Sequence, residues 1–127
     1  MEIPASLITI PSTKVTMMKT VTDTQELNQL IINNAVFIFF GGKSCAVCNS
    51  LKPKLETIIL QRLPKMQLAY VDCELSPDIC AQHSVFTLPV VKAYIQGMLI
   101  AEDSRAFGIE PLIQKIERSY SMWCEQS

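Results

Sequence analysis

The chain has 127 residues, 49% of them apolar, and a formal net charge of −1. That suffices for one domain with one core, and the near-neutral balance leaves no electrostatic footprint for nucleic acid or an anionic membrane. No apolar run approaches the roughly 20 residues that span a bilayer, and the opening MEIPASLITIP has no basic leader and is broken by Pro4 and Pro11, so a cytoplasmic protein without membrane contact is expected.

In chain order, residues 1–13 are read as a loosely held extension and 14–127 as one domain. Val15 to Val21 is expected to form a short strand. Asp23 or Thr24 can cap a helix that carries Leu27, Leu30 and Ile31 on one face and ends at Asn33-Asn34. Ala35-Val-Phe-Ile-Phe-Phe40 is apolar without alternation, the pattern of a strand buried on both faces. Gly41-Gly42 stops it. Leu51, Leu55, Ile58, Ile59 and Leu63 then recur at helical spacing, so a helix starts at Ser44 or Cys45, with a kink expected at Pro53. Gln67 to Val71 is the next strand, ending at Asp72. Pro77 to His83 forms a short helix, with Pro77 in its first turn. Leu88-Pro89 breaks the chain before a strand from Val90 to Ile95. Gln96-Gly97 turns it into a partner strand from Met98 to Glu102. The last helix runs from Glu110 to Trp123, with Leu112, Ile113, Ile116 and Tyr120 inward. Helix-linked strands followed by a hairpin argue for an α/β fold, a mixed sheet with helices on both faces.

Five cysteines stand at positions 45, 48, 73, 80 and 124. Cys45 and Cys48 straddle the start of a helix that follows a buried strand. The first sulfur meets unpaired N–H groups and the positive end of the helix dipole, which favour a thiolate by about 1 kcal/mol. The second lies one turn on, within disulfide reach. Such a pair can attack a substrate disulfide with the first thiol and release the product with the second. A metal site is disfavoured, because four-sulfur zinc sites normally have a second Cys-x-x-Cys. Cys73 and Cys80 are seven apart and are expected to be separate reduced thiols, a regulatory disulfide being the alternative. Cys124 is expected to pack at the edge of the last helix, and Trp123 at its end. His83 is read as a surface or helix-end residue, and Lys52 and Lys54 as the solvated face of their helix.

The order of elements, with the pair at the second strand-to-helix junction, resembles the thioredoxin family from about Val15 to Tyr120. Phe37-Ile-Phe-Phe-Gly-Gly-Lys-Ser-Cys-Ala-Val-Cys48 stands where that family has its active-site strand and turn. Pro53, Val71-Asp72, Thr87-Leu88-Pro89, Gly97 and Phe107-Gly108 follow in the family's order. The resemblance implies a thioredoxin fold with a central mixed sheet of about five strands and four helices. It implies Cys45 as nucleophile and Cys48 as resolving thiol. It also implies a cis Leu88-Pro89 bond and a substrate groove formed by Ser44, Ala46, Val47, Leu88 and Pro89. Protein disulfides would be the substrates and a thioredoxin reductase or another dithiol the electron donor, with no bound cofactor.

The departures are specific. Ser44-Cys45-Ala46-Val47-Cys48 replaces the usual Trp-Cys-Gly-Pro-Cys, and Gly41 and Ser44 stand where the family has tryptophans. Phe39 stands where it buries an aspartate, and Leu68 where a lysine often partners that acid. In the family the acid helps to deprotonate the second cysteine. Its absence argues against fast reduction of proteins, not against disulfide formation. With no histidine between the cysteines, a reductant or modest exchanger is favoured over a strong oxidant. The alternative is a binding or assembly module that keeps the fold and groove with little redox turnover.

Overall fold

The computed structural model describes residues 18–105 and 107–126. The extension expected over residues 1–13, and residues 15–17 of the expected first strand, lie outside the described residues. The elements are β1 (Lys19–Thr20), α1 (Thr24–Asn33), β2 (Ala35–Gly41), α2 (Ala46–Arg62), β3 (Gln67–Asp72), α3 (Pro77–Gln82), β4 (Val90–Ile95), β5 (Met98–Ser104) and α4 (Ile109–Gln126). Among the described residues β1 is two residues long, not the stretch to Val21 that the pattern suggested. β5 reaches Ser104, two residues beyond the expected end, and α4 continues past Trp123 to Gln126.

The strands form one mixed sheet in the order β1-β3-β2-β4-β5. β1 and β2 run parallel to β3, while β4 is antiparallel to both β2 and β5. This is the five-stranded, four-helix thioredoxin fold.

All seven residues of β2 are buried, which explains its lack of alternation. Successive side chains point to opposite faces. Phe37 and Phe39 pack with Leu55 and Ile59 of α2 and with Leu112, Ile113 and Ile116 of α4. Val36, Ile38 and Phe40 pack with Leu27 and Ile31 of α1 and with Ile79 and Cys80 of α3. Phe37, Phe39 and Phe40 are fully buried, and each such side chain contributes roughly 1.5–3 kcal/mol.

α2 and α4 are also joined by a charged clamp. Arg62 donates to both carboxylate oxygens of Glu117 at 2.7 and 2.9 Å and to both of Glu110 at 2.7 and 2.9 Å. The Arg62 hydrogen bonds hold both carboxyls below the ordinary glutamate range. Their contribution is therefore present above the unfolded carboxyl pKa and lost as pH falls through the folded values. Arg62→Met should lower the melting temperature at pH 7. The gap between variant and wild type should narrow as pH falls below about 4. Thermal melts at pH 7 and pH 3 check this, and a gap that is constant with pH would count against the clamp.

Candidate functional site

The site begins where β2 ends. Gly41 and Gly42 are buried and lead into Lys43-Ser44-Cys45. Gly41 has no room for a side chain. A Cβ on Gly41 would lie 2.9 Å from the Phe39 ring, 3.2 Å from the Tyr70 ring and 3.3 Å from the Cys48 Cβ. A Cβ on Gly42 would lie 2.6 Å from a Glu74 carboxylate oxygen. The fixed rings thus require glycine at position 41, where the family has a tryptophan, whereas at 42 the exposed Glu74 carboxylate alone would have to shift.

Cys45 is the N-cap of α2. Its sulfur accepts a hydrogen bond from the backbone N–H of Cys48 at 3.2 Å, satisfying one of the helix's unpaired donors. Cys45 and Cys48 are bonded to each other, with Cα atoms 5.2 Å apart. Their surroundings differ sharply. Cys45 is half-buried, whereas Cys48 is 1% exposed within the α2/α4 core. Asn49 anchors the turn from the other side, its side-chain amide donating to the Lys43 carbonyl at 3.1 Å.

β4 supplies the facing wall. Phe40 pairs with Val90, so Pro89 falls beside Gly41 at the same end of the sheet. The Leu88-Pro89 bond is cis. Pro89 is buried and Leu88 partly so, while Ser44, Ala46 and Val47 are exposed. The structure therefore brings the five expected groove residues and the two cysteines to one end of the sheet. Val47 is 55% exposed, and Phe86, two residues before Leu88, is 79% exposed.

Three features depart from the favoured sequence expectations, and of these the second is the disulfide given there as the alternative. The first is Glu74, which accepts from the Ser44 backbone N–H at 2.9 Å and from its hydroxyl at 3.3 Å. The adjoining Cys73 N–H donates to the Gly41 carbonyl at 2.7 Å. The segment after β3 thus holds the loop that carries Cys45. The Val-Asp end of β3 gave the only signal: Asp72 accepts from the N–H groups of Glu74 and Leu75, which turns the chain at that point.

The second is a disulfide between Cys73 and Cys80, with Cα atoms 5.7 Å apart. The expectation of two separate reduced thiols is corrected. The turn at Asp72 and the short helix α3 fold the chain back, and this brings the two residues within bonding reach.

The third is Lys52. Lys54 is exposed as expected, but Lys52 is half-buried, with its ammonium 4.3 Å from the centre of the Tyr70 ring. Tyr70 itself touches the Phe39 ring, with centroids 5.9 Å apart. Burial, followed by the negative charges of Asp72 and Glu74, pushes the Tyr70 phenol above its ordinary pKa. His83 is the C-cap of α3, Trp123 packs on Tyr120 at the end of α4, and Cys124 packs against the α2/α4 core.

Among the described residues no helix is long and apolar enough to cross a membrane. The family model of thioredoxin matches residues 17–118. Thioredoxin-like protein YdfQ of Bacillus subtilis is 30% identical over 87 residues, covering 68% of this chain and 77% of its own length. Mitochondrial thioredoxin 3 of Saccharomyces cerevisiae superposes with a TM-score of 0.64 at 26% identity, over 82% of this chain and 93% of its own. Thioredoxin 1 of Thermosipho africanus gives 0.63 at 29% identity, over 68% of this chain and 96% of its own. Thioredoxin of Trypanosoma brucei brucei, at 16% identity, shares the fold with a TM-score of 0.69 over 85% of this chain and 93% of its own.

Two outcomes are expected here. Gly41→Ala should cost about 1–3 kcal/mol, since Phe39 and Tyr70 are fixed in the core and cannot yield to an added methyl group. Replacing both Cys73 and Cys80 by Ser should cost about 2–3 kcal/mol, the chain-entropy value for so short a loop. Urea unfolding of each variant under non-reducing conditions measures both costs.

Proposed function

Since this chain belongs to the thioredoxin family, we propose that it is a thiol–disulfide oxidoreductase exchanging its Cys45–Cys48 pair with disulfides of protein substrates. The fold and the close pair support a thioredoxin-like redox function in general. The observation that carries the finer reading is the asymmetry of the pair. Cys45 is half-buried with its sulfur hydrogen-bonded at a helix start, while Cys48 is buried one turn inside.

The reaction follows from that arrangement. With the pair reduced, the Cys45 thiolate attacks one sulfur of a substrate disulfide. A Cys45–substrate bond forms, and the other substrate sulfur leaves with the electron pair of the broken bond. The Cys48 thiolate then attacks the Cys45 sulfur, the Cys45–Cys48 bond forms, and the second substrate sulfur leaves. Two electrons pass to the substrate, and both of its sulfurs end as thiols once protonated. A thioredoxin reductase or another dithiol returns two electrons to the pair. No bound cofactor is required.

Ser44, Ala46, Val47, Leu88 and Pro89 form the substrate groove on this reading. The backbone of Leu88 pairs with an extended segment carrying the disulfide, in the manner of an added strand. The apolar surfaces of Val47 and Phe86 flank that segment. A reductant of this type works where a dithiol pool is maintained, so the cytoplasm is the setting we assign.

One observation favours a second reading. The strand beneath the pair offers the fully buried Phe39 and no acid, so resolution by Cys48 has no carboxylate base on β2. A thioredoxin-fold binding or assembly module with little turnover fits that absence.

Insulin reduction discriminates the two. Wild type should turn over and Cys45→Ser should not; equal, negligible rates in both favour the module. Iodoacetamide should label Cys45 of the reduced protein before Cys48, and the reverse order would exchange the proposed roles. Cys48→Ser should hold a client on Cys45 as a mixed disulfide that mass spectrometry identifies.

A further inference from the structure

Lys52 lies four residues after Cys48 on α2, so the two side chains emerge from one face, about one turn apart. The face is the buried one: Cys48, Leu55 and Ile59 are its core residues, and Lys52 falls between them in the same stripe. A lysine there must either reach solvent or find a partner in the interior. Its ammonium lies over the Tyr70 ring at 4.3 Å. That ring and the Cys48 Cβ both come within 3.3 Å of the position a Cβ on Gly41 would occupy. Tyr70, Phe39 and Cys48 therefore converge at Gly41, and the Lys52 ammonium sits on the Tyr70 ring one helical turn from Cys48.

We propose that Lys52 is a positioning residue for the resolving thiol: its charge, held by the Tyr70 ring, stabilises the Cys48 thiolate. This rests on the reading of Cys48 as the resolving cysteine. At 1% exposure Cys48 has almost no water to solvate a negative sulfur, so burial alone opposes its ionisation. β2 contributes Phe39, which offers neither charge nor proton acceptor. Asp72, the last residue of β3, and Glu74 beyond it bring negative charge to Tyr70 and so disfavour a thiolate nearby further. Glu56, the next carboxylate along α2, accepts from the Met18 N–H at 2.7 Å. Lys43 is exposed on the loop. Lys52 is thus the cation placed to oppose burial and the nearby acids. The aromatic face holds it there, the negative face of the ring attracting the ammonium. In the attack on a mixed disulfide, the Cys48 proton has already passed to solvent. The thiolate spends its electron pair on the new Cys45–Cys48 bond, and Lys52 keeps all its protons throughout.

In a background with Cys73, Cys80 and Cys124 replaced by Ser, which leaves no other thiol, the reaction of the reduced protein with DTNB separates the two thiols. Attack by Cys45 releases one thionitrobenzoate, and resolution by Cys48 releases the second. Stopped-flow absorbance against pH gives a midpoint for each phase. Lys52→Met should raise the midpoint of the second phase by about one unit, slowing resolution about tenfold below it. The first phase should change little. Lys52→Arg, which keeps the charge and can stack on Tyr70, should restore the wild-type second phase. Tyr70→Leu, which removes the ring but not the lysine, should shift it part of the way. A second phase identical in Lys52→Met and wild type, with both proteins showing the same melting temperature, overturns the role of Lys52. So does a slowed phase that Lys52→Arg leaves slow. Release of only one thionitrobenzoate from the background protein with Lys52 intact would instead overturn the assignment of Cys48 as the resolving thiol.

Discussion

The strand Ala35–Gly41 is buried on both faces, and the position of every other part of the site follows from it. With no solvent-facing side it must be flanked by strands and covered by helices on each surface. Its register with β4, Phe40 against Val90, sets Pro89 beside the end of the strand. Its parallel register with β3, Gly41 against Asp72, brings the segment after β3 to the same end. The two glycines then leave the strand without side chains of their own, so neighbouring groups close in around Cys48. The site is therefore assembled by the sheet's register, and the helix capped by Cys45 is one of three chain segments that meet there.

The departures from the family pattern form a set. Phe39 occupies the place of a buried acid, and Tyr70 packs against it from the neighbouring strand. Together they fill the space that a side chain at position 41 would need, which makes glycine the residue that fits. The Lys52 ammonium then lies over the Tyr70 ring. Changing one member leaves a void or a clash for the others, so these positions are coupled in packing even though they are far apart in sequence. A carboxylate beneath the pair is exchanged for an aromatic floor with a cation above it. The floor favours neutral groups through low polarity, whereas the ammonium favours an anion beside it.

Much of this was legible in the sequence because it depends on local pattern. The run Ala35 to Phe40 announced a doubly buried strand. The stripe through Leu51, Leu55 and Ile59 announced a helix, and a start at Ser44 or Cys45 put the first sulfur among its unpaired N–H groups. What was not legible depends on contacts between strands. The spacing of Cys73 and Cys80 does not show that Asp72 turns the chain and brings them together. Lys52 reads as surface because lysines usually are; only the Tyr70 ring, eighteen positions later on a neighbouring strand, draws it inward. β1 is short because its pairing with β3 covers just Lys19–Ala69 and Thr20–Tyr70 among the described residues, whereas residue preference alone suggested a longer run.

The segment after β3 links the two disulfides physically. Cys73 donates its N–H to the Gly41 carbonyl, and Glu74 holds Ser44 through two hydrogen bonds. The loop bearing Cys45 is thereby tied to a segment that is itself closed by a covalent bond to Cys80. Cys80 is 2% exposed in the core on the opposite face of the sheet from Cys48. One pair thus belongs to each core, and the segment Cys73-Glu74 crosses the sheet end between them. The hydrogen bonds to Gly41 and Ser44 act on backbone that cannot move without disturbing the N-cap, so rigidity in this segment is passed to the cysteine pair through two residues. The side chains around Cys48 can then keep a fixed geometry while Cys45, at the open edge of the same turn, remains reachable.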